Sequence, residues 1–417
     1  MLLFCLQNCQ IMIFGLVVFF LIWGAIEWFS FQAVRTVLKR EKMVLAYQII
    51  SAIIAVYLLY TISQFDRSVG QTRKTMIVLA IALMVYIPKI LLAIIMITED
   101  VFRVGKGSVT YLAKKKRDQP FIASRRKFVS QLGLGLAAIP FLSVLYGIFE
   151  GKYNFKVIKQ PIYFPDLPDE FDGFKITQIS DIHSGSFDNP EKINYAIDLI
   201  NEQNSDMILF TGDIVNTHAK EMIPWIETFK RIKKHNYGKF SVLGNHDYGE
   251  YVSWPTPEDK ETNFQAIKNL YGQIDFKLLL NDHTIIEKGD QKITLIGVEN
   301  WGHNFKKAGD INKASNGLSN TDFKILMSHD PSHWDAQVKT SYSDIDMMFS
   351  GHTHGMQFGI EAFGIKWSPV KLRYKHWAGI KRENERVLNV NRGFGFIGFS
   401  GRIGIWPEIT VIELKKG

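Results

Sequence analysis

Where the apolar residues fall, more than how many there are, limits what this chain can fold into. Four long and nearly uncharged apolar runs, at 11–29, 43–62, 75–97 and 128–149, are crowded into the first 150 residues. A helix crossing a bilayer core needs about 20 mostly apolar residues, so residues 1–150 are expected to form an all-α transmembrane region of four helices. The remainder, 154–417, has the polar surface, turns and alternating short elements of a soluble domain with its own core. Within the third run Pro88 predicts a kink, and Lys89 must either snorkel to the interface or face a partner.

Basic residues in the connections set an orientation, because Lys and Arg are retained on the cytoplasmic side. The first connection carries Arg35, Lys39, Arg40 and Lys42, and the second carries Arg67, Arg73 and Lys74. The third carries Arg103, Lys106, Lys114, Lys115, Lys116, Arg117, Arg125, Arg126 and Lys127. With the third inside, four spans leave the N-terminus and the C-terminal domain outside. The expectation is a multi-pass protein of the inner, cytoplasmic membrane with its soluble domain extracytoplasmic and the lipid bilayer as a partner. The net charge of +8 is then mostly a topology signal, and no nucleic-acid partner is expected. The run Ser124-Arg125-Arg126-Lys127-Phe128-Val129 looks like an internal twin-arginine export signal, which would make the twin-arginine translocase a partner. An ordinary positive-inside flank is the alternative. Both cysteines, Cys5 and Cys9, lie near the N-terminus, so the soluble part has neither a disulfide framework nor a thiolate metal site.

In the soluble part, short β-rich runs alternate with helix-like stretches at 190–202, 221–234 and 258–270, which predicts an α/β architecture with buried strands. Residues 301–320, rich in Gly, Asn and Lys, predict a surface loop. The informative feature is where the apolar runs stop. The run 174–180 ends at Asp181-Ile182-His183, 207–211 at Gly212-Asp213, and 240–243 at Gly244-Asn245-His246-Asp247. The run 323–328 ends at His329, and 347–350 at Gly351-His352-Thr353-His354. Ligands of open α/β sheets gather outside the carboxyl ends of the strands, so these residues would converge on one edge. Asp, His and Asn donors without thiolates suit divalent Mn, Fe or Zn. The candidates Asp181, His183, Asp213, Asn245, His329, His352 and His354 are too many for one ion. A carboxylate such as Asp213 can bridge two, an arrangement suited to in-line displacement at phosphorus. His246 beside Asp247 reads as a catalytic acid whose imidazolium is supported by a carboxylate. His218, His303 and His333 sit near strand-end loops within reach of a substrate, whereas His235, His283 and His376 read as surface or loop residues.

The ordered series D-x-H, G-D, G-N-H-D, H and G-H-x-H resembles the calcineurin-like metallophosphoesterases over about residues 160–417. The resemblance implies a four-layer sandwich of two mixed β-sheets flanked by helices. It implies one metal ion on Asp181, His183, Asp213 and His354, and a second that shares Asp213 and takes Asn245, His329 and His352. A hydroxide bridging the two would attack phosphorus, with His246 serving the leaving oxygen. The ending Asn391-Arg392-Gly393-Phe394-Gly395 with Pro407-Glu408-Ile409 looks like membrane-anchored or exported bacterial members. Arg392 and His218 are the candidates for contacting substrate.

The leading expectation is a membrane-anchored phosphomonoesterase or phosphodiesterase acting on a phosphate ester, with lipid-linked esters among its substrates. The runner-up, suggested by some relatives, is hydrolysis of the pyrophosphate of UDP-2,3-diacylglucosamine in lipid A metabolism. The expected topology opposes it, since that nucleotide sugar is cytoplasmic. A non-catalytic membrane receptor for phosphorylated ligands would be expected to have lost His246 or a bridging ligand, and neither is lost.

Overall fold

The computed structural model describes residues 2–66, 68–112, 123–319, 322–362 and 364–417. Arg67, Lys114, Lys115, Lys116 and Arg117 of the basic connections, and Asn320 at the end of the expected loop, lie outside the described residues. The chain divides into two compact units, Met1–Phe65 with Val78–Leu145, and Asp66–Ile77 with Tyr146–Gly417. The sequence division at 150 did not foresee that the connection between the second and third apolar runs belongs with the soluble part.

The first unit is built on α1 (Leu2–Val37), α2 (Glu41–Ser63), α3 (Arg73–Leu112) and α4 (Ala123–Phe149). Among the described residues, these four are long and apolar enough to cross a membrane. They outrun the apolar runs because Glu, Lys and Arg are good helix formers, so the charged stretch 99–106 simply continues α3. Pro88 lies inside α3. Lys89 faces a partner: its ammonium lies 2.7 Å from the Glu27 carboxylate and 2.6 Å from Ser51 Oγ. The Tyr86 hydroxyl donates to the same carboxylate at 2.9 Å. Arg126 pairs with Asp100 at 3.0 Å, and Arg125 lies over the Phe102 ring.

The strands of the second unit are β1 (Lys156–Phe164), β2 (Lys175–Ile179), β3 (Met207–Phe210), β4 (Lys239–Ser241) and β5 (Lys277–Leu278). They continue with β6 (Asp282–Lys288), β7 (Gln291–Gly297), β8 (Lys324–Met327), β9 (Met347–Ser350) and the small pair β10 (Ile360–Ala362) and β11 (Ile365–Trp367). The last are β12 (Gly379–Glu383), β13 (Arg386–Val390) and β14 (Glu408–Lys416). Among the described residues, one six-stranded sheet has the order β1-β14-β2-β3-β4-β5 and another β12-β13-β9-β8-β7-β6. Each mixes parallel and antiparallel pairs.

The period-two alternation of a strand explains the layering. Met207 and Leu209 of β3 enter a core shared with Leu295 of β7, Ile325 and Met327 of β8 and Phe349 of β9, between the sheets. Ile208 and Phe210 enter a second core with α5 (Pro190–Asn201) and α7 (Pro257–Gln273), the short α6 (Ile226–Lys230) lying between them in the chain. On the far side, Ile296, Leu326 and Met348 pack with Trp334 and Val338. Helical, sheet, sheet and helical layers follow one another, as the resemblance implied.

The Asn189 side chain accepts the Lys192 N–H to start α5, and Pro190 takes the first position, where a missing N–H is harmless. The helix buries Ile193, Ala196, Ile197 and Ile200 at i, i+3, i+4 and i+7. Each isoleucine contributes about 1.5–3 kcal/mol relative to leaving it exposed. The helix expected at 221–234 breaks into a 3-10 turn, Ile223–Trp225, and α6. Pro224 has no N–H for the carbonyl four residues back and its ring crowds the preceding turn, which favours the break seen here.

Candidate active site

The loops leaving the carboxyl ends of β2, β3, β4, β8 and β9 converge, and they carry all the candidate ligands. Asp181, His183, Asp213, Asn245, His329 and His354 are buried, while His246 and His352 keep some exposure. Ligand atoms of Asp181, His183 and His354 gather within 4.8 Å of one another, and so do those of Asp213, His329 and His352. Asp213 faces both groups: its Oδ2 lies 3.6 Å from His183 Nε2 and 3.1 Å from His329 Nε2. Asn245 Oδ1 is 3.1 Å from His329 Nε2 and 2.7 Å from His352 Nδ1. His354 Nε2 is 3.2 Å from Asp181 Oδ1.

The backbone is strained at these same residues. Asp181, His183, Asp213, His352 and His354 have φ of 52°, 48°, 61°, 71° and 50°, a region that costs a side-chain-bearing residue of order 1–3 kcal/mol and persists where the surroundings over-determine it. Two glycines are fixed by close approach. A Cβ on Gly351 would sit 1.8 Å from Ser180 Oγ and 2.3 Å from Asp181 Oδ2, and one on Gly244 would sit 2.1 Å from Asp213 Oδ1.

Among the described residues, both ring nitrogens of His183 are buried without a hydrogen-bond partner. Such atoms are costly unless something else binds them. Burial alone would raise the carboxyls of Asp181 and Asp213, yet His354 and His329 beside the first, and His329 and His246 beside the second, hold both below the usual carboxylate range. Buried oxygen and imidazole donors, two of them anionic carboxylates, with orphaned nitrogens and no thiolate, fit divalent cations of the Mn, Fe or Zn kind.

His246 departs from its expected surroundings. Its Nδ1 lies 2.7 Å from the Asn216 carbonyl oxygen, and its ring stacks on Tyr251 with centroids 4.2 Å apart. Asp247 does not support it. That carboxylate is fully buried and accepts the N–H groups of Asp213 (3.0 Å), Ile214 (3.0 Å) and Gly244 (2.8 Å) and the Tyr271 hydroxyl (2.8 Å). His246 and Asp247 are neighbours in one 3-10 turn, His246–Tyr248, whose side chains diverge by about 120°, so they cannot face each other. Burial, with the Asp213 charge adding, pushes the Asp247 carboxyl up to about 7.

Two other expectations need correcting. Arg392 is buried and its guanidinium is held by Glu408 and, at 2.7 Å, by Glu361, so it orders its own loop and is not free to clamp a phosphate. His333 is fully buried with Nδ1 2.9 Å from Ser328 Oγ and Nε2 3.0 Å from Gln337, out of a substrate's reach. His218 keeps partial exposure against the Trp254 ring. His303 lines a 300 Å³ cavity with Ser332, Asp335, Arg373 and Tyr374.

Several neighbours of the ligands escaped the sequence reading. The Tyr374 hydroxyl is 2.7 Å and Asp330 Oδ2 3.6 Å from His352 Nε2, and Phe305, from the supposed surface loop, packs its ring edge-on to His352. Arg402 is wholly buried, donates to the carbonyls of Arg392 and Gly395, and brings Nη2 to 3.1 Å from His354 Nδ1. Asp330 follows His329 directly and was the one signal available; the others come from loops without a motif.

Residues 10–152 match the family described as "Probable Calcineurin-like phosphoesterase, transmembrane domain", and residues 174–356 match "Calcineurin-like phosphoesterase". The chain is 30% identical to the uncharacterized metallophosphoesterase YkuE of Bacillus subtilis, over 60% of this chain and 82% of that one. It is 26% identical to a transmembrane protein with metallophosphoesterase domain from Danio rerio, over 75% of this chain and 68% of the other. With the phosphodiesterase YaeI of Escherichia coli the identity is 25%, over 70% of this chain and 99% of that one. The ordered ligand loops and these matches lead to one assignment: the chain is a membrane protein belonging to the calcineurin-like metallophosphoesterases, with a match to the family's transmembrane domain ahead of its phosphoesterase domain.

Proposed function

We propose that the chain hydrolyses phosphodiesters with two divalent ions, one held by Asp181, His183, Asp213 and His354, the other by Asp213, Asn245, His329 and His352. The observation that carries this is the position of Asp213, whose Oδ2 faces both groups of ligands. Such a pair supplies Lewis acidity at phosphorus and an activated water. The protein's own part is to bring anionic and imidazole donors together out of bulk water and to orient His246. The Asn216 carbonyl can only accept, so Nδ1 of His246 carries a hydrogen and Nε2 is the atom that serves the leaving oxygen. The printed name of the Escherichia coli relative, a phosphodiesterase, supports diesters as the first substrates to try.

The proposed setting is the cytoplasmic membrane, crossed four times, with the hydrolase outside and lipid-linked phosphate esters within its reach. Two observations support it: the strongly basic third connection, and the membership of Asp66–Ile77 in the same compact unit as Tyr146–Gly417, which an even number of crossings between them allows.

The test is to purify the full chain in detergent, strip and restore Mn, and assay bis(p-nitrophenyl) phosphate beside p-nitrophenyl phosphate. Metal-dependent turnover that Asp213→Ala abolishes is expected, and turnover without metal overturns the reading. Reporter fusions after Phe149 test the setting separately. Activity of a cytoplasmic reporter would refute the orientation and favour the UDP-sugar substrate.

A further inference from the structure

The connection Asp66–Ile77 shares its compact unit with the candidate catalytic residues, and its polar contacts there lead to His246. Met76 is buried in the core that also holds Phe210 and Tyr271. Gly70, at φ 70°, passes so close to Val252 that a Cβ would lie 2.5 Å from its Cγ1. Gln71 uses both ends of its amide: Oε1 accepts the Gly398 N–H at 2.7 Å, and Nε2 donates to Ser186 Oγ at 3.3 Å. Ser186 Oγ accepts from Asn216 Nδ2 at 3.1 Å, and the Asn216 carbonyl holds His246 Nδ1 at 2.7 Å. The Asn216 N–H is fixed in turn by the Glu221 carboxylate at 2.6 Å.

We infer that the loop joining the second and third membrane helices orients His246 from behind, with Gln71 a positioning residue that acts through Ser186 and Asn216. This rests on the reading of His246 as the residue that serves the leaving oxygen. An Asn216 whose side chain has lost its anchor at Ser186 lets its carbonyl shift, although the Thr217 hydroxyl still donates to that carbonyl at 2.7 Å, and the imidazole ring moves with it. A misdirected Nε2 slows departure of a poor leaving group far more than that of a good one. A loop that merely braced the domain would affect all substrates alike.

The experiment uses the full chain with Mn restored and compares Gln71→Met and Ser186→Ala with the parent. The substrates are a phosphodiester with an alkyl leaving group and one with a nitrophenyl leaving group. Both variants are expected to lower kcat on the alkyl ester about 5-fold, the loss that follows from one positioning hydrogen bond. KM and nitrophenyl turnover stay near the parent values. In a His246→Ala background, Gln71→Met adds no further loss, because the two act as one unit. In metal-free, 15N-histidine-labelled protein, the His246 Nδ1–H resonance shifts in both variants. Equal losses on the two esters, additive losses with His246→Ala, or an unmoved resonance overturns the inference. If His246→Ala leaves alkyl-ester turnover intact, the reading of His246 falls and the inference with it. If His246→Ala lowers turnover and the Gln71 and Ser186 variants do not, the inference alone falls.

Discussion

Asp213 Oδ2 lies 3.1 Å from His329 Nε2 with both residues sealed from solvent, and the same oxygen is within 3.6 Å of His183 Nε2. A ligand set shared in this way should fail asymmetrically. Asp213→Ala is expected to lose both ions, whereas His354→Ala should lose one. Metal content by elemental analysis of dialysed protein checks this. Turnover of Asp213→Ala should fall by more than the roughly 10–100-fold that losing an outer partner of a metal ligand costs. Retention of one ion in Asp213→Ala would refute the shared position.

Asp247 is predicted to matter for stability and not for proton transfer. Replacing it by Ala leaves the N–H groups of Asp213, Ile214 and Gly244 and the Tyr271 hydroxyl without their acceptor. Stranded buried donors cost about 1–3 kcal/mol each when nothing replaces the partner. Relief of the burial cost that raises this carboxyl to about 7 offsets part of that, so the variant should show a net loss visible as a drop in Tm of the detergent-solubilised protein. A carboxylate that supported His246 would give the opposite pattern, with kcat reduced and Tm unchanged.

The site was legible to the extent that it depends on strand ends. Five apolar runs stopping at Asp, Asn and His pointed to the edge on which these candidate residues gather, because parallel neighbouring strands put their carboxyl ends on the same side. What was not legible depends on turns and on distant loops. Adjacency in sequence suggested Asp247 as the partner of His246, and a 3-10 turn rotates neighbours apart. Arg392 looked available to a phosphate because nothing in sequence shows that Glu361 and Glu408 fold onto it. Pro224 lies within the helix expected at 221–234 and marks where that short helix breaks, although the long helices α3 and α4 run through Pro88 and Pro140. That Asp66–Ile77 joins the soluble part could not be read at all, since a short polar connection between apolar runs carries no sign of where it docks.

The two groups at His352 Nε2 make a prediction about orientation. If Nδ1 is to face Asn245 and His329, the other nitrogen must be held from behind, and the Tyr374 hydroxyl and Asp330 stand there at 2.7 and 3.6 Å. Tyr374→Phe keeps the ring and removes that contact, while Asp330→Asn keeps the shape and removes the charge. Each should weaken metal binding or turnover about 10–100-fold, the usual effect of removing the group behind a ligating histidine. The double variant should lose less than the sum, since both act on one ring. Titration of the metal-free variants with Mn measures it, and affinities equal to the parent's would show that the ring is held by its packing against Phe305, His329 and the ring of residue 374.

His333, which is not itself a candidate ligand, supplies a pH dependence. Burial, against the weaker pull of Gln337 and Asp330, lowers its imidazole to about 4 from an ordinary 6.5. Above pH 6.5 the ring is neutral folded or unfolded, and its contribution to stability is complete. As pH falls from 6.5 toward 4, the unfolded chain takes up a proton that the folded one refuses, so stability is lost progressively across that window. A difference of this size amounts to about 3 kcal/mol by the acid end. His333→Gln removes the titration and should give a shallower fall in Tm between pH 7 and pH 4.5, measured on metal-free parent and variant side by side so that ion loss does not enter. Parallel curves for the two proteins would mean that the acid sensitivity of this domain resides elsewhere.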